Sequence, residues 1–232
     1  MFYVNMASSE SIGRFMHKVY AWMFAGLAVT AATSYYMFAH PAVLIYLLSS
    51  PVVFYALMAL QIGLVVYMSS RITSMSYQAA VLSFLAYSSL MGVSLSPIFL
   101  VYTMSSICMT FVSAACMFGG MAIYGYYTES DLSRFSSILI MGLWGLIIAS
   151  FANWFFASSG LDYILSWVGV LLFTALTAYD VQKIKLLAYS MEEDNAAGTM
   201  GSKIALLGAL QLYLDFINLF LYMLKIMGRK QK

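Results

Sequence analysis

Between Lys18 and Arg71 the chain runs for 52 residues without an aspartate, glutamate, lysine or arginine, and between Arg71 and Glu129 it runs for 57 more. Soluble domains do not leave such stretches uncharged, because about a quarter of their residues carry charge. Here only 9% of the 232 residues are charged and 63% are hydrophobic. A membrane-crossing helix needs about 20 mostly apolar residues, so each long stretch holds two crossings. Residues 135–161 hold one more, and two further apolar segments surround Asp180 and Asp215. The sequence therefore predicts an all-α polytopic membrane protein with seven transmembrane helices, near residues 15–39, 42–68, 75–96, 100–124, 134–156, 163–187 and 204–227.

Proline lacks the donor that a helix interior requires. Pro41 and Pro97 thus mark turns inside the uncharged runs, while Pro51 either kinks the second helix or delays its start. The expected organisation is an N-terminal polar segment (1–13), a single seven-helix domain (14–227) and a basic tail (228–232). The first apolar segment is too long for a signal-peptide core and is expected to stay as a span. The sizeable loop, 188–203, carries Glu192, Glu193 and Asp194, read as a solvated face. With the N-terminus inside, Arg14, Lys18, Arg71, Arg134, Lys183, Lys185 and Lys203 are cytoplasmic, against Lys225, Arg229, Lys230 and Lys232 outside, which favours that orientation, while a re-entrant last segment would place all eleven inside. A net charge of +2, spread over segment ends, points to the lipid bilayer as partner and to no nucleic acid.

Cys108 and Cys116 share one predicted span without metal-ligand spacing and read as core-packing thiols. His17 and His40, near span ends, read as solvated. Trp22, Trp144, Trp154 and Trp167 read as interface anchors and packing. Gly92 with Ser96, and Gly142 with Gly145 and Ser150, have the small-residue spacing that permits close helix approach in lipid.

Two acids interrupt apolar spans, and an ionised aspartate at a span centre costs on the order of 2.5 to 3.5 kcal/mol even on the lenient insertion scale. Asp180 shares a helical face with Thr174 and Thr177, and Asp215 shares one with Gln211 and Asn218. If these polar stripes meet, the two carboxyls cannot easily both ionise and are expected to share a proton. Loss of that proton creates repulsion, and the ionised pair offers oxygen ligands to a hard cation such as Ca²⁺. A pH-gated path for Ca²⁺ or protons follows as the functional expectation. The structural alternative is that each acid pairs with Lys183, Lys185, Arg71 or backbone groups and only stabilises the bundle. Gln61 and Asn153 fit a pathway lining and ordinary interhelical hydrogen bonding equally.

Thr177-Ala178-Tyr179-Asp180-Val181-Gln182-Lys183-Ile184 and Leu212-Tyr213-Leu214-Asp215-Phe216-Ile217-Asn218-Leu219-Phe220 resemble the two C-terminal motifs of the Bax-inhibitor family. Gly92-Val93-Ser94-Leu95-Ser96-Pro97-Ile98-Phe99 with Tyr102-Thr103, and Gly142-Leu143-Trp144-Gly145-Leu146-Ile147, are similar to its middle spans, so the likeness covers residues 14–227. The resemblance implies a bacterial-type member of the inner membrane, with the last helix enclosed by the other six. It also implies a pH-sensitive calcium leak governed by an aspartate pair matching Asp180 and Asp215. The family's basic residue at the end of span 2 falls on Arg71, and an acid found there in some bacterial relatives falls on Gln61. A different class of function also follows, that of a non-transporting regulator of a membrane protease or of a stress or cell-death partner. No enzyme activity and no resident cofactor are expected. An intramembrane aspartyl protease would carry Gly-x-Gly-Asp at the second acid and a later Pro-Ala-Leu, whereas this chain has Leu212-Tyr213-Leu214-Asp215 and no proline after Pro97.

Overall fold

Apolar segments this long bury no backbone polar group safely unless every N–H and C=O is paired within the segment, which makes the helix their only open-ended solution in lipid. The computed structural model describes residues 2–193 and 198–231. Its helices are α1 (Phe2–Ala39), α2 (Pro41–Ser49), α3 (Pro51–Arg71), α4 (Tyr77–Leu95), α5 (Ile98–Val101), α6 (Met104–Tyr127), α7 (Ser136–Phe156), α8 (Ser159–Glu193) and α9 (Thr199–Met227), with a 3₁₀ turn at Leu132–Phe135.

Proline and capping residues set the boundaries. Pro41 and Pro51 each occupy the first turn of a helix, where the missing N–H would have had no partner anyway. Ser50 is extended (φ −106°, ψ 103°), so the expected second span is two helices and its crossing part begins at Pro51. Ser76 and Thr103 cap α4 and α6 by accepting from the N–H groups of Ala79 and Ser106. Asp131 accepts from the N–H of Ser133 at 2.9 Å to start the 3₁₀ turn. Asn153 caps the end of α7: its Oδ1 accepts from the N–H of Ser158. Beside it Ala157 closes α7 in the left-handed region at φ 48°. The 188–203 loop is shorter than expected, because α8 runs to Glu193 and α9 starts at Thr199. Asp194 and the side chains of Glu192 and Glu193 lie outside the described residues, as does Lys232.

Six helices among the described residues are long and apolar enough to cross a membrane: Pro51–Arg71, Tyr77–Val101, Met104–Tyr127, Leu132–Phe156, Ser159–Met191 and Thr199–Met227. The protein is therefore a multi-pass integral membrane protein. The seventh expected span, in α1, stands outside this set, since Thr30, Thr33, Ser34, Tyr35 and Tyr36 dilute its apolar half. The apolar stretch of α9 is the most buried of the six, at 67%, followed by α8 at 56%. Those of α3 and α7 are 6% and 11% buried, as expected of helices coated by lipid. Cys108 and Cys116 are exposed on α6, which corrects their reading as core thiols. In lipid an outward-facing thiol costs little, so composition alone gave no clue to its direction.

The described chain forms two compact units. The first comprises Met1–Val101 and Leu187–Tyr213. There Gly92 lets α4 approach α1 so closely that a Cβ would come within 2.6 Å of the Thr30 carbonyl oxygen. Tyr213, fully buried, presents its ring to Phe84 and Tyr87, and its hydroxyl lies 2.6 Å from Thr30 Oγ1. Thr30 in turn sits 2.9 Å from the carbonyls of Gly26 and Ser88. Gln61 joins α3 to α4 by donating to the Leu90 carbonyl and Ser94 hydroxyl.

The second unit comprises Tyr102–Leu186 and Leu214–Lys232. Gly125 of α6 lies directly on the Ala178 backbone of α8, and Gly169 of α8 lies under the Tyr222 ring of α9. Phe216 meets Phe111 and Phe118 edge-on. Past α9, the Arg229 N–H donates to Ser106 Oγ and its carbonyl accepts from the Thr103 N–H.

Candidate functional site

Asp180 and Asp215 meet inside the second unit. Helical spacing puts Asp180 on the face of α8 that follows Thr177, and Asp215 on the face of α9 that precedes Asn218. They are 4% and 5% exposed. Their side chains lie close enough to interact directly. Two carboxyl groups at such range can hydrogen-bond only if one of them carries a proton, because a carboxylate accepts and cannot donate. The second oxygen of Asp215, Oδ2, is buried without a hydrogen-bond partner. A buried acceptor left unpaired is costly, so a proton, a water or a hard cation would find a ready oxygen there. Among the described residues no group of three or more His, Cys, Asp or Glu side chains gathers. The pair thus offers a cation two carboxyls and no cage.

The surroundings hold α8 in place on both sides of Asp180. Two residues before it, Ala178 carries the backbone of Gly125. Two residues after it, Gln182 accepts from the Leu132 N–H through Oε1 and donates to the Ser130 carbonyl through Nε2, both at 2.8 Å. One turn further, Lys185 donates to the Tyr126 carbonyl at 2.6 Å and lies over the Tyr126 ring. These bonds satisfy the exposed end of α6 and the turn after it, where helix carbonyls would otherwise go unpaired. The phenyl rings of Phe111 and Phe118 on α6 supply an uncharged wall against α9.

The other predicted residues are placed differently. Thr177 is buried, and its hydroxyl donates to the Phe173 carbonyl of its own helix at 2.7 Å; Thr174 does the same to Val170. Asn218 is half-buried and donates to the Leu214 carbonyl. Arg71, exposed at the end of α3, belongs to the first unit, as do Gln61 and the half-buried Gln211. Of the two readings of Gln61, its bonds to α4 are those of an interhelical tie.

Three side-chain ties to backbone groups were not foreseen from the sequence. Gln182 lies inside a quoted motif and Lys185 just after it, but neither carries a sign of which backbone group it reaches. Lys203 is 6% exposed and donates to the carbonyls of Thr73 and Met75 at 2.8 and 3.1 Å. A lone cation at the start of the apolar run that begins with Ile204 was the available signal.

Comparison with known proteins matches residues 12–232 to the family described as inhibitor of apoptosis-promoting Bax1. The inner membrane protein YbhL of Escherichia coli is 41% identical over 217 residues, covering 94% of this chain and 92% of YbhL. An uncharacterized protein of Deinococcus radiodurans is 34% identical over the same length, covering 94% and 91%. One from Borreliella burgdorferi is 51% identical over 148 residues, which is 64% of this chain and 62% of that protein.

Proposed function

Since this chain belongs to the family of the inhibitor of apoptosis-promoting Bax1, we propose that it is a pH-sensitive cation leak of the bacterial inner membrane, with Ca²⁺ as a conducted ion. Asp180 and Asp215 form its gate. The observation that carries this reading is the pair of buried, interacting carboxyl groups with one unpaired oxygen. The inner-membrane location is taken from YbhL. Intramembrane acids are rare and mark ion or proton paths by default.

With a shared proton the pair draws α8 and α9 together. Loss of that proton leaves two like charges at short range, whose repulsion in a low-dielectric interior is large. The helices then part and the carboxylates face the path. Flux should rise as pH rises through the titration of the pair. Thr177 and Asn218, beside the acids on the same helices, line the path. The protein has no catalytic role and no resident cofactor in this reading.

The test is calcium entry into liposomes that hold a calcium-sensitive dye, followed from pH 5 to 8 for the native chain, Asp180→Asn and Asp215→Asn. The expected result is pH-dependent flux in the native protein and loss of that dependence in both variants. Flux that falls as pH rises would refute gating by repulsion within the pair. Native flux equal to that of empty liposomes at every pH would refute the leak and favour a regulator of a membrane protease or stress partner.

A further inference from the structure

The described surface of α1 holds a groove of about 290 Å³ lined by His17, Lys18, Ala21, Trp22 and Ala25. Its two ends differ chemically. Lys18 is the last charged residue before Arg71, and with His17 it forms an exposed polar rim. Toward the C-terminal end, Ala21 and Ala25 stand one turn apart and leave a shallow apolar floor. Trp22 forms the wall, half-buried, with its ring set edge-on against Phe84 at 6.2 Å. The groove therefore straddles the point on the helix where charge stops and a long uncharged stretch begins. Trp and Lys settle by preference where a bilayer changes from headgroup to acyl chain.

We propose that this groove binds an anionic phospholipid. Its phosphate sits at the Lys18 and His17 rim and the first part of an acyl chain lies over Ala21 and Ala25 against the Trp22 ring. Charge complementarity selects the occupant. Lys18 and Arg14, four residues apart on one face and both exposed, present positive charge at the rim. Glu10, a further turn back, faces Arg14 by spacing and leaves Lys18 as the cation nearest the groove. A zwitterionic lipid would fit the floor equally well but would gain less at the rim. The difference expected for one lysine at a charged membrane surface is about fivefold in affinity.

Trp22 is a built-in reporter. In the triple variant Trp144→Phe, Trp154→Phe, Trp167→Phe it is the sole indole. In phosphatidylcholine nanodiscs doped with phosphatidylglycerol that carries dibrominated acyl chains, its emission should be quenched about five times more per mole of quencher than by dibrominated phosphatidylcholine. Lys18→Gln should make the two lipids equal. Equal quenching by both lipids in the chain that retains Lys18 overturns the proposal. Relief of quenching by millimolar inorganic phosphate alone would identify a site for free phosphate and also overturn it, as would relief on raising the number of copies per disc, which would name a second chain as occupant. Should the triple variant not fold, native mass spectrometry of the unaltered chain and Lys18→Gln tests the same lipid preference. The first must retain more phosphatidylglycerol than the second, and equal retention overturns the proposal.

Discussion

Gly125 and Gly120 lie on the same helix, yet alanine at each should act in opposite directions. At Gly120 a Cβ meets nothing within 4 Å, whereas at Gly125 it falls on the carbonyl oxygen, carbon and Cα of Ala178. Both substitutions gain the same helix propensity, roughly 0.5–1 kcal/mol. Only Gly125→Ala must move something, and the obstacle is backbone, which cannot rotate aside. Overpacking of this kind costs about 1–3 kcal/mol, so the two variants should differ by that amount, with Gly120→Ala at or above the native chain. For a chain of this length each kcal/mol shifts Tm by about 2–4 °C, which sets the expected gap at roughly 2–12 °C. Thermal unfolding of both variants in one detergent, followed by helical circular dichroism, measures it. Equal midpoints would refute the close approach of α6 to α8. The displacement falls two residues from Asp180, so Gly125→Ala should also disturb the pH response of calcium flux while Gly120→Ala leaves it intact.

Replacing Lys203 with Met removes two charge-assisted hydrogen bonds from the α3–α4 turn and should cost about 1.5–3 kcal/mol, read as faster amide exchange at residues 72–76. Gln182→Leu strands the Leu132 N–H and the Ser130 carbonyl in a partly buried turn. It should destabilise by about 1–3 kcal/mol and raise protease sensitivity at residues 128–135, which an unchanged cleavage rate would contradict. Cys108 and Cys116, facing outward on α6, should react with a lipid-soluble maleimide in intact membranes. Failure of both to label before unfolding would show that another surface covers them.

Run length made the helices legible, and proline placed their starts, including the delayed one at Pro51. The acid pair was legible too, because the cost of an isolated charge in lipid demands a partner and each acid had neighbours of one polar stripe. What stayed hidden was direction. Cys108 and Thr110 look equally able to face inward, yet only Thr110 is buried, since outward-facing residues in lipid are as apolar as inward ones and no amphipathic signal remains. The partners of Gln61, Gln182 and Lys203 were hidden for a related reason. Each reaches a backbone carbonyl or N–H, and backbone groups leave no trace in the sequence. Tyr213 shows the same limit: nothing in its motif tells that its hydroxyl meets Thr30.

The two carboxyls that meet in the folded protein are made at different moments. Asp180 leaves the ribosome 35 residues before Asp215, an interval of about 2–7 s at bacterial or eukaryotic elongation rates. During that interval its helix must wait in or beside the membrane with an acid whose eventual neighbour does not yet exist. Arrival of α9 ends the wait by bringing Asp215 beside Asp180. A nascent chain that fails to deliver Asp215 keeps a solitary acid in the bilayer, with the cost that an isolated carboxylate carries there.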